Sequence, residues 1–163
     1  MEDWKTFLEA FRLTIESSAE RLHSITEERS GAGRAEDKWS PKEIVGHLID
    51  SAANNHQRFV RGQFSENLTF PAYDQNQWIE AQQYRRESWL SLIELWRLYN
   101  LHLLHVMTSV DEQKLKKRHT MRSLNKIARE PVNEDESVTL EYVMRDYVVH
   151  LKHHLRQIFG EDV

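Results

Sequence analysis

The chain contains no cysteine in 163 residues. Disulfides, thiolate metal sites and a cysteine nucleophile are therefore excluded. Any metal must be held by histidine, carboxylate and water, which suits Zn or Ni first and Fe or Mn next. A basic excess is also missing: 22 Lys and Arg stand against 26 Asp and Glu, a net charge of −4. A nucleic-acid binder would normally show a basic face, so none is expected. The one basic cluster, Lys114, Lys116, Lys117, Arg118, His119 and Arg122, is short and flanked by acids, and reads as a solvated loop. No apolar run is long enough to cross a bilayer. Met1 to Lys5 lacks the basic and apolar regions of a signal peptide, so the expected compartment is the cytoplasm and no membrane partner is expected.

What is present reads as one soluble globular domain over residues 1–163, with 29% charged and 39% hydrophobic residues. Trp4, Phe7, Leu8, Phe11, Ile15, Leu22 and Ile25 recur at three- and four-residue spacing, which predicts a first helix from about Asp3 to Glu28. Gly31 and Gly33 stop it. Ser40-Pro41-Lys42-Glu43 predicts a sharp helix start, with Ser40 as N-cap, Pro41 at the first position and Glu43 closing a capping box. That helix runs to about Gly62. Residues 63–83 form a long connection with a turn at Phe70 to Asp74, and Asp74 or Asn76 caps a short helix through Trp78 and Ile79. A connection of that length is often a cover over a site. A third helix is expected from about Tyr84 to Thr108. Val110 to Ser137 reads as a long charged loop, with a brief strand near His119 to Leu124. A fourth helix is expected from Thr139 to Gly160. The sum is an all-α four-helix bundle with long connections between helices 2 and 3 and between helices 3 and 4.

The chemistry concentrates in the fourth helix. His150 and His154 are four apart and lie on one side of it, so both rings can reach one ion. Two ligands do not make a site; a third must come from elsewhere. On helix two, His56 shares the apolar side, whereas His47 aligns with Asp50, Asn54 and Arg58 in a polar stripe. Such a stripe is either a solvated face or the wall of a polar cavity. Periodicity alone leaves His47 and His56 both open, with His102 and His105 of helix three behind them.

The run Trp39 to Ser51, the Phe70-Pro71-Ala72-Tyr73-Asp74 turn with Trp78, and Thr139-Leu140 leading into His150 to Leu155 resemble the DinB/YfiT-like family in order and spacing. The resemblance implies a bundle wound up-down-down-up. It also implies a divalent metal on three histidines, which at matching positions are His47, His150 and His154. Ligation by three histidines from two helices leaves coordination positions open, as reactive sites require.

Three functions follow as expectations. The first is transfer of a low-molecular-weight thiol, such as bacillithiol or mycothiol, to an electrophile. The second is hydrolysis of a small amide or ester by metal-activated water. Asp50, one turn from His47, would then be general base, and Asn54 and Tyr73 would orient the small-molecule substrate. The third is a non-catalytic, stress-related metal-binding bundle. Relatives implied by the resemblance often form homodimers.

Overall fold

The computed structural model describes residues 3–33, 38–65, 67–69, 71–122 and 137–160. Half of the expected loop, residues 123–136, lies outside these, as does Phe70. Asp3 caps α1 (Trp4–His23) by accepting from the amides of Lys5 and Thr6. This helix is shorter than expected. Thr26 caps a separate turn, α2 (Glu27–Ser30), whose first residues are the acids a helix N-terminus favours.

The strongest local signal is realised as read. In α3 (Pro41–Arg61), Ser40 and Glu43 form the reciprocal capping box with Pro41 at the first turn. After a three-residue strand, β1 (Asn67–Thr69), Asp74 caps α4 (Gln75–Gln82). Gln83 then takes a left-handed conformation, φ 51°, and leads into a 3₁₀ turn, Tyr84–Arg86. The third long helix, α5 (Trp89–Thr108), starts only after this break, capped by Ser88. The charged segment beyond is not all loop: it holds α6 (Glu112–Lys116) and β2 (Arg118–Arg122). β3 (Ser137–Thr139) leads directly into α7 (Leu140–Phe159), which Thr139 caps and Gly160 ends at φ 78°. The strands form a small sheet in the order β1-β2-β3, parallel then antiparallel.

Four long helices, α1, α3, α5 and α7, form the bundle, and side-chain contacts fix their directions. Trp89 Nε1, at the head of α5, donates to Leu22 O at the tail of α1 over 3.1 Å, so these two run antiparallel. Lys42 Nζ donates to Glu87 O (2.6 Å) just ahead of α5, and farther along His56 meets Tyr99. α3 and α5 therefore run parallel. Gly62, after the end of α3, packs against Leu140 at the start of α7, so that pair is antiparallel. Arg145 lies over the ring of Phe7 and Arg21 over that of Phe159, so α1 and α7 run parallel. The winding is up-down-down-up. A parallel neighbour pair cannot be joined by a short turn, which is why the α3–α5 connection is long.

All four helices bury one continuous core, including Phe11, Ile15, Leu48, Phe59, Trp89, Trp96, Leu103, Met107, Tyr147 and Leu151. Each such large side chain contributes about 1.5–3 kcal/mol when fully buried. Inside that core, Tyr147 donates to Asn100 Oδ1 over 2.6 Å, satisfying a phenol that has no access to water. Among the described residues no helix is long and apolar enough to cross a membrane.

Candidate metal centre

The cluster sits toward the bundle end formed by the head of α3 and the tail of α7. Because these helices are antiparallel, position 47, early in α3, faces positions 150 and 154, late in α7. His47 Nε2 lies 3.3 Å from His150 Nε2, and His154 Nε2 lies 3.1 Å from His150 Nε2. All three residues offer ring nitrogens within 4.8 Å of one another. No fourth histidine or carboxylate of the described residues joins them. His56, the alternative from periodicity, is elsewhere: it turns toward α5, where its ring meets Tyr99 and His102. His105 stacks on His102.

The far sides of the rings explain the inward geometry. His154 Nδ1 is 2.9 Å from Gln157 Oε1, one turn on. The nitrogen of the same amide lies 3.3 Å from His153 Nε2. An acceptor there holds the proton on Nδ1 and leaves the Nε2 lone pair facing the cluster. His150 Nδ1 is similarly placed against Ser51 Oγ, 3.4 Å away. His47 is 1% exposed, and its Nδ1 is buried with no hydrogen-bond partner among the described residues. Burial, with the neighbouring His154 second, pushes its pKa down to about 3. The ring is thus neutral near pH 7, the state that ligates metal.

These residues fit a divalent ion. Three Nε2 lone pairs at contact distance repel one another unless a cation or a proton lies between them. Bonds of about 2.0–2.1 Å to a tetrahedral zinc place neighbouring nitrogens about 3.3 Å apart, close to the spacings found.

The polar stripe of α3 is not a solvated face. His47, Asp50 and Arg58 are buried and Asn54 is half-buried. Asp50 Oδ1 accepts from Tyr84 OH (2.7 Å) and Gln82 Nε2 (2.8 Å), while Oδ2 is buried without a partner among the described residues. Burial outweighs those two bonds and raises the Asp50 pKa above the ordinary carboxylate value. Asn54 Nδ2 donates to the Asp50 carbonyl over 2.8 Å. Tyr73 is half-buried with its ring against Trp78, close enough to Asp50 and Arg58 to feel both. Burial first and Asp50 next push its phenol up to about 12.

Two features escaped the sequence reading. Trp39 lies over the cluster, 5.2 Å from the His47 ring and 6.1 Å from that of His154, and its indole N–H donates to Asn76 of α4 over 3.2 Å. A cavity of about 640 Å³ opens beside it, lined by Lys38, Trp39, Ile44, Asn76, His154 and Gln157. Gln157 had a signal available, since it follows His154 at the same helical spacing that relates neighbouring turns. The Tyr84–Asp50 bond had none, because it joins residues 34 apart.

The sequence pattern of the DinB superfamily matches residues 10–158. The chain belongs to the DinB superfamily. A protein of Oceanobacillus iheyensis named "Putative metal-dependent hydrolase OB0413" is 28% identical over 78 residues, 48% of this chain and 45% of that one. The match thus spans less than half of that relative's length. YfiT from Bacillus subtilis, described as "a probable metal-dependent hydrolase with an unusual four-helix bundle topology", superposes with a TM-score of 0.77 at 18% identity. That superposition covers 96% of this chain and 83% of YfiT, and it shows the shared DinB-type fold.

Proposed function

We propose that the chain is a divalent-metal-dependent hydrolase of a small amide or ester, with His47, His150 and His154 as the ligands. One observation carries this reading: three neutral-capable imidazoles converge beside a cavity, with no fourth protein ligand among the described residues. A divalent ion held there acidifies a bound water and polarises a carbonyl. Zn or Ni suits the donor set best, then Fe or Mn.

Asp50 acts as general base. It takes the proton released when water attacks the carbonyl, then returns it to the departing amine or alcohol. The water's O–H bond is broken and the leaving group's N–H or O–H bond is made, and no further reactant is consumed. A raised carboxyl pKa suits this role, since it brings the acid and base forms closer to neutral pH. Asn54, one turn further along α3, and Tyr73, close to Asp50 from the connection, orient the substrate. Trp39 roofs the cluster and limits the water that reaches it.

The buried carboxylate also favours hydrolysis over thiol transfer. A coordinated thiol is deprotonated by the metal outright, so transfer of a low-molecular-weight thiol to an electrophile has no use for Asp50. The names of the two relatives point the same way. A cytoplasmic location and a homodimer belong to this reading as expectations from the sequence, and its chemistry depends on neither.

The test is turnover of a panel of small activated esters and amides by metal-loaded, chelator-treated and His150→Ala protein, with and without added thiol. Expected is metal-dependent turnover without thiol, falling by about a hundredfold or more in His150→Ala, as for loss of a metal ligand. Turnover that appears only with thiol selects transfer. Stoichiometric metal with no turnover of any substrate selects the non-catalytic, stress-related bundle.

A further inference from the structure

The connection between α3 and α5 does more than cover the polar stripe of α3. Its last turn brings two donors to a single oxygen. Tyr84 OH and Gln82 Nε2 both reach Asp50 Oδ1, at 2.7 and 2.8 Å, and the phenol also lies 2.9 Å from Gln82 Oε1. The phenol carries one proton, so it donates either to Asp50 Oδ1 or to Gln82 Oε1 at any moment. Asp50 is 3% exposed and Tyr84 is 7% exposed, so water does not compete for these positions. The other carboxylate oxygen, Oδ2, is equally buried and is left without a partner among the described residues.

Local structure is spent on this arrangement. Gln83 adopts φ 51°, a left-handed conformation that non-glycine residues take at a cost, and this turns the chain so that Gln82 and Tyr84 reach the same carboxylate. α3 carries Gly46 where the Tyr84 ring lies against it. A carboxylate that merely filled space would need neither.

We propose that Tyr84 and Gln82 are positioning residues for Asp50: by occupying Oδ1 they fix the carboxylate plane and leave Oδ2 as the oxygen that exchanges the proton. This rests on the general-base reading of Asp50 given above. Neither residue touches substrate or metal in this scheme; both act through the carboxylate. The titratable groups that act on Asp50 or feel it are Tyr84 and Tyr73, both from the connection; Tyr73 also feels Arg58 of α3, which in turn feels Asp146 of α7.

A donor to a carboxylate favours its ionised form, so removing the phenol moves the Asp50 titration to higher pH. The experiment uses full-length, zinc-loaded protein in wild-type, Tyr84→Phe, Gln82→Ala and Asp50→Asn forms. Two readouts are taken: the carboxyl-carbon NMR titration of Asp50, assigned by its loss in Asp50→Asn, and the pH profile of kcat/KM with 4-nitrophenyl acetate as probe. In Tyr84→Phe and Gln82→Ala, the titration and the acid limb of the profile both move up in pH. kcat falls about tenfold, the scale of one lost charge-assisted hydrogen bond, while zinc content stays at the wild-type level. Gln82 is exposed, so its variant folds even if Tyr84→Phe does not. A carboxyl titration unchanged in both variants overturns the positioning role. If the titration moves but Asp50→Asn keeps wild-type turnover, the general-base reading fails, and positioning for catalysis fails with it. If the probe is not hydrolysed at all, the hydrolytic reading is what fails, and the NMR titration still decides whether the two donors hold the carboxylate.

Discussion

Gly46 and Tyr84 are in such close contact that a Cβ on residue 46 would lie 2.2 Å from Tyr84 Cδ2 and 2.3 Å from Cγ. Those atoms are the root of the ring, not a flexible end. Gly46→Ala therefore sets two effects against each other. Within a helix the change gains about 1 kcal/mol of propensity. Forcing a ring from a buried site costs about 1–3 kcal/mol. The clash is expected to win, with a net loss of up to about 2 kcal/mol. Urea unfolding checks it, and a gain in stability would show that the ring relaxes freely.

Gln157→Ala removes the acceptor on His154 Nδ1 and leaves the three ligands in place. Loss of such an outer partner typically lowers metal affinity about 10- to 100-fold. Competition with a chromophoric chelator measures it. The unfolding midpoint of the metal-free protein is expected to stay within about 0.5 kcal/mol of wild type, as for surface changes, because Gln157 is exposed.

Asp50→Asn separates stability from function. The folded-state pKa of Asp50 is raised, so the folded protein prefers the protonated form. Its contribution is fully favourable below the ordinary value of 3.8 and is lost as pH rises through the folded-state pKa. Asn keeps an oxygen for Tyr84 and carries no charge. The metal-free variant is expected to be more stable than wild type at pH 7, by roughly 1 kcal/mol, with the difference vanishing below about pH 4. Parallel denaturation curves at the two pH values check this; a constant difference would refute it.

His47 gives the opposite sign. Its folded-state pKa is depressed to about 3 from the ordinary 6.5. The folded protein therefore resists protonation, and the resulting stability is present above pH 6.5 and is lost as pH falls toward 3. In metal-free protein the unfolding free energy is expected to decline through that window. The decline should be shallower in His47→Gln, which has no charge to gain.

Trp39→Phe keeps an aromatic roof over the cluster and deletes the N–H that Asn76 accepts. Metal content is expected to be unchanged. KM for a bound substrate is expected to rise about tenfold, the loss of one hydrogen bond that seats α4 against the cavity. Steady-state kinetics on whichever ester proves active measures it.

The parts of the fold that local chemistry dictates could be read from the residues. The capping box at Ser40, the proline beside it, the Asp74 cap and the Gly160 stop each depend on a few neighbours, and each is found. Boundaries set from a distance could not. The break at Gln83 carries no glycine, and a helix beginning at Tyr84 was the natural reading of an unbroken periodic stretch. The break coincides with the long-range bond from Tyr84 to Asp50, which no local pattern announces. The first helix ends earlier than its apolar spacing for a related reason: Ile25 continues the spacing while Thr26 caps a new turn. At the site, periodicity placed His150 and His154 on one side, and the same logic placed His47 beside Asp50. It could not tell whether that stripe met water or α7, because burial of a polar face depends on what packs over it. The brief strand expected at His119 is part of β2, but its partners β1 and β3 come from segments too short to announce themselves.

Because α3 and α5 point the same way, the chain must return along the length of the bundle before it can continue. That obligatory return carries Asn76, Gln82 and Tyr84 past the cluster. Two of the long helices carry the three histidines, while residues 71–86 supply the partners of Asp50 and Trp39. That segment is keyed into the bundle, since its Ile79 and Tyr84 belong to the buried core, so any exchange of it would have to preserve those two contacts.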